Sequence, residues 1–310
     1  MADIKASEEK CTLRCTLQHA WELYRDHVLV NMNRRSKVSD TGRWSRIQTF
    51  FGECKLHEID TLKIVKFQND LLDSGLSPQT VKHCISLLQR LFNRAKEFRF
   101  YFGEIPKFIF PKFDNKRLRF LSQEEAKKLL SVLKSRSELW HDITLLALMT
   151  GLRAGELFNL SHASFDKMNR LLLVCQTKTN SSRSVPLNDD AYNVLLKYQD
   201  TGGNYIFKNA LGGKITECNR RIFASAVEAL GFNKDSVDRQ DTVVFHTLRH
   251  TFASWLVQAG TPLEVVSQLL GHKKYEMTRR YAKLAPSQGS NAVKMLTILS
   301  QGREGICSSD

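Results

Sequence analysis

The residues of this chain best suited to chemistry lie toward its C-terminus: His246-Thr247-Leu248-Arg249-His250, then Gly271-His272, then Tyr281. Upstream, Gly151-Leu152-Arg153-Ala154-Gly155-Glu156-Leu157 supplies a second arginine. Imidazole, guanidinium and phenol together suit chemistry on a phosphate. Breaking a phosphodiester without a metal needs a nucleophile, cations for the charge developing on two non-bridging oxygens, and an acid for the leaving alkoxide. Arginine meets the second need best, because its planar fork grips phosphate oxygens two at a time and keeps its charge. Arg153 and Arg249 are therefore candidate clamps for a pentacoordinate transition state. The plainer reading of either is a helix-end arginine that caps carbonyls or pairs with a carboxylate such as Glu156.

His246 precedes Arg249 by three residues, so from a helix start the two project toward a common point. An imidazole there can accept a proton from a phenol or donate a hydrogen bond to a phosphoryl oxygen. His250 reads as a structural hydrogen-bonder. Tyr281 lies in a basic segment, residues 277–284, that reads as a helix, and neighbouring cations and a base can activate its phenol to form a covalent phosphotyrosine. Most tyrosines are simply core or surface aromatics. Lys178 sits in a polar hairpin tip, where a flexible ammonium can enter a minor groove and protonate a leaving 5′-oxygen; its plainer reading is a solvated surface lysine.

The elements that must position these groups begin with length: 310 residues, 42% of them hydrophobic, suffice for two domains with real cores. The net charge of +14 favours a polyanionic partner over a neutral one. Divided after Asp114, the chain carries 19 basic against 14 acidic residues before and 27 against 18 after, so both parts are positive. Seven cysteines, at 11, 15, 54, 84, 175, 218 and 307, form no CxxC pair and no zinc-type spacing, and read as reduced thiols. No apolar signal core opens the chain, and its apolar runs are too short to span a bilayer.

Residues 1–15 read as a flexible polar tail. Over 16–96 the pattern is helical: Leu17, Ala20, Trp21 and Tyr24 share one face, and Val81, Cys84, Ile85, Leu88, Leu91 and Phe92 make a longer stripe. Ser77-Pro78 marks a helix start. Residues 98–120, with two prolines and basic Lys107, Lys112, Lys116, Arg117 and Arg119, read as an interdomain linker. Ser122 and Glu125 then form a capping box. Residues 170–176 and 184–187 flank the polar tip 177–182 as a hairpin, and two helices, 248–259 and 262–270, end at Gly271.

The order Thr150-Gly151-Leu152-Arg153-Ala154-Gly155-Glu156-Leu157, hairpin Lys178, His246-Thr247-Leu248-Arg249-His250, Leu269-Leu270-Gly271-His272 and Tyr281-Ala282 resembles the tyrosine recombinase (phage integrase) family across the whole C-terminal part. The resemblance implies a mainly α fold with a small β-sheet: a helical core-type DNA-binding domain over 16–114, a catalytic domain over 115–302, and a C-terminal tail over 303–310. It implies that Tyr281 attacks the scissile phosphate, giving a 3′-phosphotyrosyl link and a free 5′-hydroxyl. Arg153, Arg249 and His272 would stabilise the phosphorane, Lys178 would be the acid, His246 the base or orienter, and Glu156 would support the arginine from behind. No nucleotide, metal or other cofactor would be needed.

The partners implied are double-stranded DNA at specific recombination sites, accessory DNA-bending proteins, and three further copies of the chain. A free monomer would assemble as a homotetramer on synapsed DNA, pass through a Holliday junction, and integrate or excise a mobile element in the bacterial cytoplasm. The two domains would clamp duplex DNA, with the basic linker and the patch Arg34, Arg35, Lys37, Arg43 and Arg46 facing phosphates, unless these are solvated surface charges. Lys112, Lys116 and Arg117 are the linker's candidates. The amphipathic stretch 291–300 would dock on a neighbour or pack on its own domain. Residues 1–15 are too few for the arm-binding domain of many temperate-phage integrases, which leaves a simple core-type recombinase or a piece of a longer chain. The competing readings are a type IB topoisomerase-like enzyme, which reseals one strand without exchanging partners, and a non-catalytic DNA-binding protein; the filled chemical positions and their spacing favour the recombinase.

Overall fold

The computed structural model describes residues 12, 14–112, 119–176, 181–199, 203–209, 211–215, 221–236 and 241–285. Lys116, Arg117, Lys178, the 291–300 stretch and the 303–310 tail lie outside the described residues. The chain divides into two units, Met1–Asp114 and Asn115–Asp310.

Among its described residues the first unit packs four α-helices of two turns or more: α1 (Leu17–His27), α2 (Arg34–Phe51), α3 (Thr61–Asp73) and α4 (Pro78–Glu97). Each begins where the sequence offers a short polar cap: the side chains of Thr16, Asn33, Asp60 and Ser77 accept from the amides of His19, Ser36, Lys63 and Thr80. These bonds satisfy amides that the first helical turn leaves unpaired. The expected apolar faces of α1 and α4 are buried, and Trp21 stacks on Trp44 with ring centroids 4.9 Å apart. Cys15, read as the end of a tail, is instead buried, with its carbonyl accepting from the Leu56 amide at 2.9 Å. Asp40 is buried in the same unit and accepts from Tyr24 (2.9 Å), Arg43 (2.6 Å) and Arg90 (3.1 Å). Burial, then the bond to Asp40, pushes the Tyr24 phenol up to about 12.

The second unit starts with α5 (Gln123–Arg136), whose capping box forms as expected: Ser122 accepts from the Glu125 amide and Glu125 from the Ser122 amide. α6 (Glu138–Thr150) is apolar on nearly every side and packs among α5, α8 (Asp189–Lys197) and α10 (Thr247–Gln258). α7 (Ala154–Leu157), α9 (Arg221–Ala229), α11 (Leu263–Leu270) and α12 (Glu276–Arg279) complete the described helices. α6 ends at Gly151 with φ 62°, a left-handed conformation that side chains resist. A Cβ there would sit 2.3 Å from Phe252 Cδ1. Gly151→Ala is thus expected to cost roughly 2–5 kcal/mol, read as a lower denaturant midpoint; a stability loss under about 1 kcal/mol would show that neither strain nor overlap is felt.

The sheet is antiparallel in the order β1 (Phe165–Asp166), β2 (Leu171–Gln176), β3 (Ser181–Pro186), with Leu172 opposite Val185 and Val174 opposite Arg183. Leu172, Val174 and Val185 face the core. β3 begins earlier than the sequence pattern suggests, because its first residues are polar yet pair with Cys175 and Gln176. β1, only two residues long, is too short to show an alternating pattern.

The single helix expected over 277–284 is also corrected. α12 stops at Arg279, and a short 3-10 turn, Ala282–Leu284, follows Tyr281. Thr278 and Tyr281 are both drawn inward, 0% and 1% exposed, and this tertiary anchoring overrides the helical propensity of the segment. Among the described residues no helix is long and apolar enough to cross a membrane.

Candidate active site

Arg249, in the first turn of α10, is buried. Its guanidinium donates to the Gly151 carbonyl at 2.8 Å and to the Leu270 carbonyl at 2.6 Å. Those carbonyls close α6 and α11, where unpaired acceptors and the negative dipole end gather. The capping role expected of a helix-end arginine is therefore real, and it is what fixes the guanidinium in place. Burial and the Arg153 charge lower its pKa, though not far enough to discharge it at neutral pH.

Arg153 stands at the start of α7, and about a third of its side chain is open. It donates to Glu156 Oε1 at 2.9 Å and to the Gly271 carbonyl at 3.4 Å. The two arginines thus meet on adjacent carbonyls of one loop. Glu156 also accepts from the Arg153 amide at 2.9 Å and from both terminal nitrogens of Arg183, at 3.1 and 2.8 Å. Burial works to raise the Glu156 pKa, but the bonds from Arg183 and the Arg153 amide, with both guanidinium charges, outweigh it and hold the carboxyl at about 2.

The sequence motifs do not single out Arg183. It extends from β3, and its Nε donates to the Leu269 carbonyl at 2.9 Å. It stays nearly buried, tying the sheet to the end of α11 through Leu269 and to α7 through Glu156. A signal was available: Arg183 is two residues from core-facing Val185, so strand alternation places it on the inner face. An arginine there must find a carboxylate.

His272 follows Gly271, whose left-handed φ of 63° turns the chain out of α11. The His272 ring pairs through Nδ1 with Thr278 Oγ1 at 2.8 Å, and burial together with Arg249 and Arg153 lowers its pKa to about 4. His246 occupies the position before α10 and is open to solvent on one side. The protein packed around it and the charges of Arg249, Arg153 and Arg280 lower its pKa. Tyr281 is buried in an apolar cluster with Phe252, Ala253, Val257, Val266 and Leu270. Burial raises its phenol to about 12 against the opposing pull of Arg249 and Arg280.

The structure therefore gathers Arg153, Glu156, His246, Arg249, His272 and Tyr281 around the ends of α6, α10 and α11. It adds Arg183 and brings His250, read as a structural hydrogen-bonder, onto the Tyr281 hydroxyl at 2.7 Å. Among the described residues no three His, Cys, Asp or Glu side chains group closely enough to hold a metal ion. In the first unit, Arg34, Arg35, Lys37, Arg43 and Arg46 all lie on α2. Arg35 and Arg46, both exposed, are eleven residues apart, three helical turns, and so share a face. Arg43 is committed to buried Asp40. Lys112 is exposed.

A mainly helical unit with a small antiparallel sheet, holding arginines, imidazoles and a buried phenol about one loop, has the make-up of a phosphoryl-transfer enzyme. The profile of the phage integrase family matches residues 119–288, and the chain belongs to that family, the tyrosine recombinases, enzymes that break and rejoin DNA strands. It is 30% identical over 217 residues to the integrase of Salmonella phage P22, a match covering 66% of this chain and about half, 53%, of that protein. It is also 30% identical over 229 residues to a tyrosine recombinase of Thermosipho africanus, covering 72% of this chain and 78% of the relative. Among solved structures, the Tn1549 transposon integrase in complex with transposon right end DNA shares the fold with a TM-score of 0.74 at 20% identity, covering 92% of this chain and 99% of that one. A lambda integrase tetramer bound to a Holliday junction shares it with a TM-score of 0.68 at 19% identity, covering 92% and 81%.

Proposed function

We propose that this chain is a site-specific recombinase that integrates or excises a mobile element through a 3′-phosphotyrosyl intermediate. The observation that carries the reading is the convergence of two arginines on the 270–271 carbonyls beside His272 and the Tyr281 phenol. Tyr281 Oη attacks the scissile phosphorus, the bond to the 5′-oxygen breaks, and the phosphate stays on tyrosine. Arg153, Arg249 and His272 stabilise the phosphorane, the two arginines by their charge and the neutral His272 imidazole by donating a hydrogen bond, with Glu156 and Arg183 holding Arg153 and the loop in register. Lys178 protonates the leaving 5′-oxygen, and His246 serves as base or orienter. Attack by a 5′-hydroxyl from the partner duplex reverses these steps and completes exchange.

DNA is held in part by the α2 residues Arg34, Arg35, Lys37, Arg43 and Arg46 and by Lys112, Lys116 and Arg117 of the linker. Free monomers assemble as a tetramer on synapsed sites, through a Holliday junction, in the host cytoplasm, with DNA-bending proteins as accessories. These assignments are supported by the charge, by family membership and by the assemblies in which relatives of the same fold are found.

The test is covalent capture on nicked duplexes drawn from the DNA flanking the encoding element. A detergent-resistant adduct is expected, joined through the 3′-phosphate to the peptide containing Tyr281. An adduct on the 5′ side, or on another residue, would overturn the reading, and resealing without partner exchange would point to a topoisomerase. The charge of +14 further predicts counterion release. DNA affinity should drop about 10³-fold or more between low and moderate salt, and a flat salt dependence would remove the phosphate contacts from the account.

A further inference from the structure

We propose that His250, and not His246, is the proton acceptor of the Tyr281 nucleophile. The inference rests on the reading of Tyr281 as the attacking residue and assigns the partner of its hydroxyl. The hydrogen bond to that hydroxyl comes from His250 Nδ1, at 2.7 Å. His246 instead packs edge-on against the His250 ring, centroids 4.8 Å apart and planes at 86°, where it fixes the orientation of that ring. A general base must stand within hydrogen-bond reach of the proton it takes, and His250 is the imidazole that does so.

The groups facing His250 disfavour its protonation in the DNA-free protein. His246 and Arg249 face it from its own helix, Arg280 and Tyr281 from the segment after α12, and His272 from the turn after α11. Burial and these neighbours hold the imidazole neutral, at about 3, while the phenol stays protonated at about 12. In this neutral pair the phenol O–H donates to Nδ1 and the ring proton sits on Nε2. A phosphodiester anion seated between Arg153 and Arg249 offsets the cationic field that disfavours imidazolium, so the scissile phosphate itself raises the basicity of His250. As Tyr281 Oη bonds to phosphorus, its proton passes to Nδ1, the P–O5′ bond breaks, and the 5′-oxygen is protonated by the separate acid. On rejoining, the departing phenolate takes the proton back from His250.

The experiment is single-turnover covalent capture on a nicked duplex carrying the mapped cleavage position, between about pH 6 and about pH 9, with DNA affinity measured alongside to report folding. His250→Asn and His250→Gln keep a hydrogen-bond acceptor near the phenol but cannot take its proton. Both should bind DNA like the parent and cleave about 10²- to 10⁴-fold more slowly near neutrality. Their rates should climb about tenfold per pH unit, as hydroxide takes over, where the parent's does not. A 5′-bridging phosphorothiolate, which no longer needs the leaving-group acid, should not restore them. A parental rate, an unchanged pH dependence, or rescue by the thiolate leaving group would each overturn the assignment. Histidine nitrogen NMR of the DNA-free protein needs no variant: His250 should be the Nε2–H tautomer, and an Nδ1–H tautomer would refute the proposal. Adduct formation by Tyr281→Phe would instead sink the nucleophile reading on which it rests.

Discussion

Tyr281→Phe is expected to eliminate covalent capture while leaving DNA affinity within a few-fold of the parent. The substitution deletes one oxygen from a side chain whose ring is otherwise fixed by Phe252, Ala253, Val257, Val266 and Leu270. Phenylalanine fills the same apolar space, so the cluster has no cavity to absorb. The folded state loses the single hydrogen bond to His250, a change of about 1 kcal/mol. The proposed chemistry loses its nucleophile altogether, because the ring C–H left in place of the hydroxyl has no lone pair to offer phosphorus. Capture on a nicked duplex, read as the fraction of DNA retarded under denaturing conditions, checks this; any adduct formed by the variant would require another residue to attack. The same preparation, in a filter-binding titration, should return the parental affinity, since Arg153, Arg249 and His272, the groups proposed to hold the phosphate, are untouched.

Much of this site is written locally, and the portion that is not has a physical reason. Arg153, Arg249, His272 and Tyr281 fall in short motifs at helix starts and ends, and helix ends are legible from caps: Ser77, Ser122 and Gly271 begin or terminate elements where sequence places them. The apolar faces of α1 and α4 are legible for a similar reason, since burial imposes a 3.6-residue period. Tertiary partnerships impose no such period. The break before Tyr281 follows from Thr278 bonding to His272 and Tyr281 bonding to His250, two contacts made across the unit. Arg183 reads as one charge in a polar hairpin until its pairing opposite Val174 places it on the inner face beside Glu156. Spacing alone makes His250 a structural hydrogen-bonder beside His246, and only the geometry distinguishes the two imidazoles. Lys178 lies outside the described residues, so its role rests on the family resemblance.

Removing the Glu156 carboxylate is expected to produce the largest loss of stability available from a single polar side chain in this site. Glu156 accepts from Arg153 and Arg183, and Arg183 is only 11% exposed, so Glu156→Ala leaves a nearly buried guanidinium without its counter-charge. Breaking one partner out of a buried pair costs about 3–5 kcal/mol, far more than the pair itself contributes over an apolar replacement. Cleavage should fall as well, although Glu156 touches no phosphate, because Arg183 would release the Leu269 carbonyl and Arg153 would lose the carboxylate that anchors it. Acid gives an independent view of the same group. Its folded pKa of about 2 lies below the ordinary 4.5, so its stabilisation is complete above about pH 4.5 and drains away as pH falls toward 2. That gap corresponds to about 3 kcal/mol. His250 and His272 act in a higher window: held at about 3 and about 4 against an ordinary 6.5, they let the unfolded chain bind protons first, so stability begins to decline below about pH 6.5. Denaturant midpoints followed from neutrality to about pH 3 should therefore begin to fall below about pH 6.5 and fall more steeply below about pH 4.5, where the two windows overlap. Glu156→Gln should make the acid-range steepening shallower, leaving the share carried by Glu125 and Asp142, whose carboxyls are also held below their ordinary range, and should keep the histidine decline; an unchanged steepening would mean that Glu156 is not the carboxylate that holds the arginines together.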